Sequence, residues 1–175
     1  IEGTVTFLDV LGWKGIWQKQ HDALNILFEF IEGIKERAER VNYNYGEKEE
    51  SMRGVETTVI SVSDTIALFT PSHEYADPRH ALQIHGEICS FIIPESIKRG
   101  IPVRGATSFG RYSIKEAIMI GPAVDEAASW HEAHDFIGVI LTPSANLKIK
   151  YEEVMGWKKY LPPYKNKGFG KTGCV

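Results

Sequence analysis

A short apolar run that carries a single carboxylate constrains this chain most. Residues 3–11 read Gly-Thr-Val-Thr-Phe-Leu-Asp-Val-Leu, rich in β-formers and with little polar alternation, which predicts a buried central strand. Gly12 then turns the chain, and Trp13-Lys14 opens a helix-like segment. A carboxylate at Asp9, among residues that favour burial, is costly unless paired, hydrogen-bonded or bound to a cation. Taken alone, Asp9 has two readings: an acid capping a strand end, or a ligand in a metal–nucleotide site at a strand–glycine–helix junction.

The rest of the chain narrows the setting. Its 175 residues fit one domain, with residues 1–150 as the body and 151–175 as a C-terminal arm of the same domain. A net charge of -3 and a pI near 6.1 lack the basic excess that nucleic-acid backbone binding needs, while leaving small phosphate ligands open. Cys89 and Cys174 lie far apart and Cys89 falls in an amphipathic pattern, so a reducing cytoplasm is expected rather than a disulfide framework. No apolar run approaches the roughly 18 residues that span a bilayer, and no signal-peptide pattern opens the sequence, so no membrane partner is expected. The lack of an initiator Met predicts a few further residues upstream.

Residues 22–41 place Leu24, Leu27, Phe28, Ile31 and Ile34 at helical spacing, with Glu and Arg side chains on the solvated face. Residues 42–53 break that pattern and predict a mobile polar loop. Two strand-like runs, 55–62 and 65–70, flank Ser63-Asp64, a connection suited to a hairpin. A helix is expected over 77–99, with Leu82, Ile88, Phe91, Ile92 and Ile97 inward, a kink or end at Pro94, and a stop at Gly100. Strands follow at 102–110 and 117–120, then a helix from Gly121-Pro122 to about 133, a strand at 136–141 and a short helical segment from Thr142-Pro143-Ser144. The order β-α-β-β-α-β-(β)-α-β predicts an α+β fold, a mostly antiparallel sheet with helices packed on one face, related to the split-βαβ plan.

On that plan the end of the first strand and the 63–64 hairpin lie side by side and bring Asp9 to Asp64. Two carboxylates in proximity repel unless a cation sits between them. Mg²⁺ or Mn²⁺, held by carboxylates and substrate phosphate, would relieve the repulsion, and two such cations serve phosphoryl or nucleotidyl transfer.

Four stretches in order, Phe7-Leu8-Asp9-Val10-Leu11-Gly12, Val62-Ser63-Asp64-Thr65-Ile66-Ala67-Leu68-Phe69, Val103-Arg104-Gly105-Ala106-Thr107-Ser108-Phe109-Gly110 and Gly121-Pro122-Ala123-Val124-Asp125-Glu126-Ala127-Ala128, resemble the motifs of class III nucleotidyl cyclases. The resemblance implies the cyclase palm plan of the ferredoxin-like kind, two divalent cations held by Asp9 and Asp64, the Val10 carbonyl as a further ligand, and Leu11, Gly12 and Trp13 amides facing the triphosphate. It also implies a homodimer with sites at the interface.

The departures from the family are specific. Where its last motif usually offers Asn and, four residues on, Arg, this chain has Asp125 and Ser129, so another cation must replace the Arg or the domain is inactive. Arg104 is the first candidate, followed by Lys14, Arg111 and Lys115. Ile60 occupies a position where purine cyclases often place a base-reading Lys or Glu. The pattern looks most like the pyrimidine cyclases of bacterial Pycsar anti-phage systems, which implies a cyclic pyrimidine nucleotide made from UTP, or next CTP, to switch on a separate effector. Tyr43, Tyr45 and Tyr112 are the candidate base readers, and Asp125 joins the nucleotide-binding set.

Plainer readings stand beside these. Arg104 could pair with an acid such as Asp125, and Asp125 could simply favour a helix first turn. His131 and His134, flanked by Glu132 and Asp135, lack a third ligand at suitable spacing and read as exposed helix-end residues. Trp13 and Trp17 suit core or dimer packing, and the Lys-rich tail from Lys158 to Lys171 suits a solvated arm or, second, a lid. The rival from another class is a catalytically silent cyclase-like module that binds a nucleotide or partner. A palm-type polymerase or diguanylate cyclase shares the metal–aspartate logic, but the Gly-Gly-Asp/Glu-Glu-Phe turn of the latter is missing.

Overall fold

The structure, a computed structural model, describes residues 1–73, 77–149 and 156–165, apart from the side chain of Trp17. Strand β1 (Glu2–Val10) lies at the centre of a five-stranded sheet. It pairs antiparallel with β3 (Thr65–Pro71) and with β4 (Val103–Arg111), while β2 (Thr58–Val62) covers the outer edge of β3. β7 (Gly138–Leu141) runs parallel to β4 at the other edge. A separate two-stranded ribbon joins β5 (Ser113–Lys115), which the sequence did not announce, to β6 (Ile118–Ile120). The fold is α+β with a mostly antiparallel sheet, as expected.

The absence of alternation in β1 has a direct cause, because both sheet faces are covered. Leu8 and Val10 join Ile66, Leu68 and Val103 under α2 (Ala23–Lys48) and α3 (Pro78–Lys98), meeting Phe30, Ile34, Ile88 and Ile92. Val5 and Phe7 join Ala67 and Phe69 on the opposite face, against Ala123, Val124 and Ala127 of α4 (Pro122–Trp130). Helices therefore pack on both faces rather than one, and α4 ends at Trp130, short of residue 133. Gly105, opposite Leu8, is required by close approach: a Cβ there would lie 2.3 Å from the Phe7 carbonyl oxygen.

The helix boundaries differ from expectation where tertiary contacts override composition. α2 runs to Lys48, through most of the segment expected as a loop, and a single 3-10 turn follows at Glu50–Met52. Tyr45 faces the core and donates a hydrogen bond to Glu87 at 3.0 Å, and buried Gly46 lies beside the returning Met52-Arg53 backbone. Leu24 and Phe28, expected inward, are 78% and 62% exposed, and Phe30 takes the inward place. α3 begins where Asp77 accepts from the Arg79 amide and Pro78 takes the first turn. It continues through Pro94 to Lys98, leaves Ile97 exposed, and stops at Gly100 with φ +71°. A helix of four residues, α1 (Ile16–Lys19), follows the Gly12 turn, and another, α5 (Pro143–Asn146), follows β7.

A buried polar chain crosses the α3 face. Thr107 and Thr6 hydroxyls lie 2.6 Å apart, Thr6 meets His85 Nδ1 at 2.6 Å, His85 Nε2 meets Thr70 at 2.8 Å, and Thr70 meets Thr57 at 2.7 Å. Thr57 then donates to Asn42 at 3.0 Å. Burial pushes the His85 pKa down to about 3, so the ring is neutral.

The described part of the C-terminal arm packs on the body. Trp157 Nε1 donates to the Leu82 carbonyl at 2.8 Å, Lys165 donates to the Ala133 carbonyl, and the Asp135 amide donates to the Pro163 carbonyl. Lys158, Lys159 and Lys165 remain exposed, while Lys167 and Lys171 of the expected solvated arm lie outside the described residues. Cys89 is a buried free thiol, and Cys174 also lies outside the described residues.

Candidate active site

The register of three strands builds the site. Asp9 is the penultimate residue of β1, opposite Thr65 on β3 and Arg104 on β4. The Val10 amide donates to the Asp64 carbonyl at 3.0 Å, so the 63–64 turn, with Ser63 at φ +57°, lies against the end of β1. Asp9 and Asp64 thus reach the same end of the sheet, Asp64 through its turn backbone. The Val10 side chain is buried under the α2 and α3 layer.

The turn after β1 is partly committed. The Leu11 amide donates to the Pro102 carbonyl at 2.8 Å and does not face a phosphate space, contrary to expectation. Among the described residues no backbone carbonyl accepts from the Gly12, Trp13 or Lys14 amides. Gly12 has φ +74°, a conformation costly for other residues, and the Lys14 side chain is exposed beside it. An anion could be cradled there by three successive amides and a cation.

Alternation along β1 turns Asp9 to the same face as Phe7, toward α4. That helix starts against β4, where Ser108 Oγ donates to the Ala123 carbonyl at 2.6 Å, and runs back toward Asp9. His131, its C-cap residue, and Glu132 therefore come beside Asp9, and one ligand atom from each of the three lies within 4.8 Å of the others. The reading of His131 as a solvent-facing helix end is corrected by this packing. The nine residues of α4, leaving the far end of β4, cover about 13 Å, enough to return to the Asp9 level, a path that the sequence did not show.

Arg104 lies between the two acids, its Nη2 3.4 Å from Asp9 Oδ2 and 3.6 Å from Glu132 Oε1. Its partner is therefore not Asp125. The side chains of Asp9 and Arg104 are 19% and 13% exposed, and Arg104 Nε is buried with no hydrogen-bond partner. His134 is fully buried rather than exposed, its Nε2 2.9 Å from the Gly105 carbonyl, and burial lowers its pKa. Two carboxylates with an imidazole form a donor set that suits a divalent cation.

Other expected residues lie elsewhere. Asp125 and Ser129 stand on the exposed face of α4, with the Ser129 hydroxyl donating to the Asp125 carbonyl at 2.7 Å. Arg111 stands opposite Glu2 in the strand register at the far end of β4, beside buried Tyr112, whose pKa burial raises, and exposed Lys115 follows on β5. Tyr43 lines a cleft of about 560 Å³ with Asn42 and Thr57. Thr57 bonds Thr70, which pairs with Thr4, placing that cleft roughly 17 Å of strand from Asp9. Neither Tyr43 nor core-facing Tyr45 is brought to the carboxylates of this chain. Ile60 is half-buried opposite Ala67, on the Asp9 face.

No protein-family model matches this sequence, and no curated protein matches it. Solved structures do match in fold. The catalytic core of a rhodopsin-guanylyl cyclase with converted specificity, in complex with ATPalphaS, aligns with TM-score 0.60 at 18% identity, covering 98% of this chain and 90% of that one. The adenylyl cyclase CyaB from P. aeruginosa aligns with TM-score 0.55 at 16% identity, over 98% and 90% of the two chains. An adenylate cyclase from Trypanosoma brucei in its monomeric state aligns with TM-score 0.52 at 13% identity, over 98% and 86%. The fold is that of class III cyclase catalytic domains.

Proposed function

We propose that this chain is a metal-dependent nucleotidyl cyclase that converts a pyrimidine nucleoside triphosphate, UTP before CTP, to its 3′,5′-cyclic monophosphate and pyrophosphate. The observation that carries the reading is that Asp9 and the turn bearing Asp64 lie at one sheet end, beside the Gly12, Trp13 and Lys14 amides, in a cyclase fold. Asp9, Asp64 and the Val10 carbonyl would hold two divalent cations, Mg²⁺ or Mn²⁺. When bound, these supply acidification of the ribose 3′-hydroxyl and neutralisation of phosphate charge.

The chain's own groups orient the substrate. The 12–14 amides and Lys14 hold the triphosphate, and Arg104 stands close enough to Asp9 to serve the developing phosphate charge that the absent Arg would otherwise meet. The 3′-oxygen bonds to the α-phosphorus, the bond from that phosphorus to the bridging oxygen breaks, pyrophosphate leaves, and the 3′-hydroxyl proton passes to solvent. The preference for a pyrimidine is supported by Ile60, which has no polar group to read a purine, and by the motif pattern. We extend the reading to a cytoplasmic homodimer with sites at its interface, whose product activates a separate effector in anti-phage defence.

Ser129, standing where the family offers Arg, favours a second reading, a silent nucleotide-binding module. Incubation with each of ATP, GTP, CTP and UTP plus Mn²⁺, with mass identification of products, separates the two. A cyclic pyrimidine monophosphate that falls at least ~100-fold in Asp64→Ala, with an unchanged circular dichroism spectrum, is expected. A fully active Asp64→Ala protein would sink the two-cation reading, and nucleotide binding without product would favour the silent module.

A further inference from the structure

The Asp9 site carries a nitrogen donor that the aspartate pair does not require. We propose that His131 Nε2 and Glu132, with Asp9, form a mixed nitrogen–oxygen site, so that the cation held at Asp9 is of the Mn²⁺ class rather than Mg²⁺. This rests on the reading of Asp9 as a cation ligand.

Two observations carry it. One ligand atom from each residue lies within 4.8 Å of the others, and His131 Nε2 is 3.9 Å from Glu132 Oε1. His131 Nδ1 lies 2.5 Å from the Ala128 carbonyl oxygen, which can only accept, so Nδ1 holds the proton and the lone pair of the neutral ring is on Nε2. A backbone acceptor on the far ring nitrogen is the usual way a protein orients a metal-binding imidazole. Arg104 Nη2, 3.4 Å from Asp9 and 3.6 Å from Glu132, stands between the two acids, so a cation bound there displaces the guanidinium.

Mg²⁺ favours an all-oxygen octahedron and keeps much of its water, whereas imidazole suits the heavier first-row ions. The His131 turn is also held from behind. The adjoining Ala133 carbonyl and Asp135 amide bond the C-terminal arm, and Phe7 packs toward the ring at 6.5 Å between centroids. Glu132 is 62% exposed, and its contact with Arg104 is solvent-screened, so its carboxylate can exchange that partner for a cation.

The test uses the full chain without a polyhistidine tag, loaded with one equivalent of Mn²⁺ and no nucleotide, and reads nitrogen coupling by pulsed electron paramagnetic resonance. Directly coordinated ¹⁴N is expected. It is lost in His131→Gln, which also weakens Mn²⁺ binding roughly tenfold or more, and kept in the control His21→Gln, at an exposed position. Glu132→Gln, at an exposed position, weakens Mn²⁺ while keeping the coupling. Absence of ¹⁴N coupling in the parent chain, or its survival in His131→Gln, overturns the proposal. Oxygen-only Mn²⁺ in a chain that still cyclises nucleotide overturns the imidazole ligand alone. Nitrogen-coordinated Mn²⁺ without product from any triphosphate overturns the cyclase reading alone.

Discussion

Tyr45 illustrates how a single side chain can look like a recognition group and serve the core. Its hydroxyl donates to Glu87 across the α2–α3 contact, and burial raises its pKa. Tyr45→Phe is expected to lower stability by about 1 kcal/mol in urea titrations, the net worth of one hydrogen bond, and to leave nucleotide preference unchanged. A change in preference would return Tyr45 to the binding site. Asp9 was legible because a lone acid in an apolar strand has few inexpensive explanations. His131 and Glu132 were not, since their approach to Asp9 depends on the path of α4 across the sheet. Arg104 lay between these cases: its strand was evident, but its acidic partner depended on register.

At the level of elements, the pairing of α3 with the sheet turns on His85. The folded-state pKa is pushed from 6.5 down to about 3, so the unfolded chain takes up the proton first. The stability supplied by the neutral ring is full above about pH 6.5 and is lost as pH falls toward 3, at up to about 1.4 kcal/mol per pH unit. The His85 ring resonances should show no titration between pH 8 and 5 in the folded protein, while urea unfolding becomes easier from pH 6 to 4. A ring that titrates near 6.5 would show that the Thr6–His85–Thr70 contacts do not hold. β1, β3 and the start of α3 were readable from β-propensity, the Ser63-Asp64 turn and Asp77-Pro78. The length of α2 was not, because Asn42 to Gly46 is polar locally and is held helical by Glu87 and the returning Met52-Arg53 segment.

The whole molecule places every proposed substrate-handling group at one end of the sheet, with Asp125 on an exposed helix face away from Asp9. A homodimeric site accommodates that separation, since a partner copy can present the same face to the carboxylates. Specific activity should then fall on dilution, in step with a sedimentation shift from dimer to monomer. Activity independent of concentration in a monomeric protein would place the full site within one chain. The mostly antiparallel α+β plan followed from the order of elements and the cyclase-like plan from the resemblance of the four motifs, whereas the coverage of both faces did not follow, because α4 is short and its apolar residues are mostly alanines.

That double coverage of β1 also leaves a signature in mutational tolerance. A half-exposed strand accepts polar substitutions at every second position. In a library of single substitutions selected for folding, residues 4–8 should instead form an unbroken block of intolerance, ending at Asp9, where selection for folding and selection for activity part company.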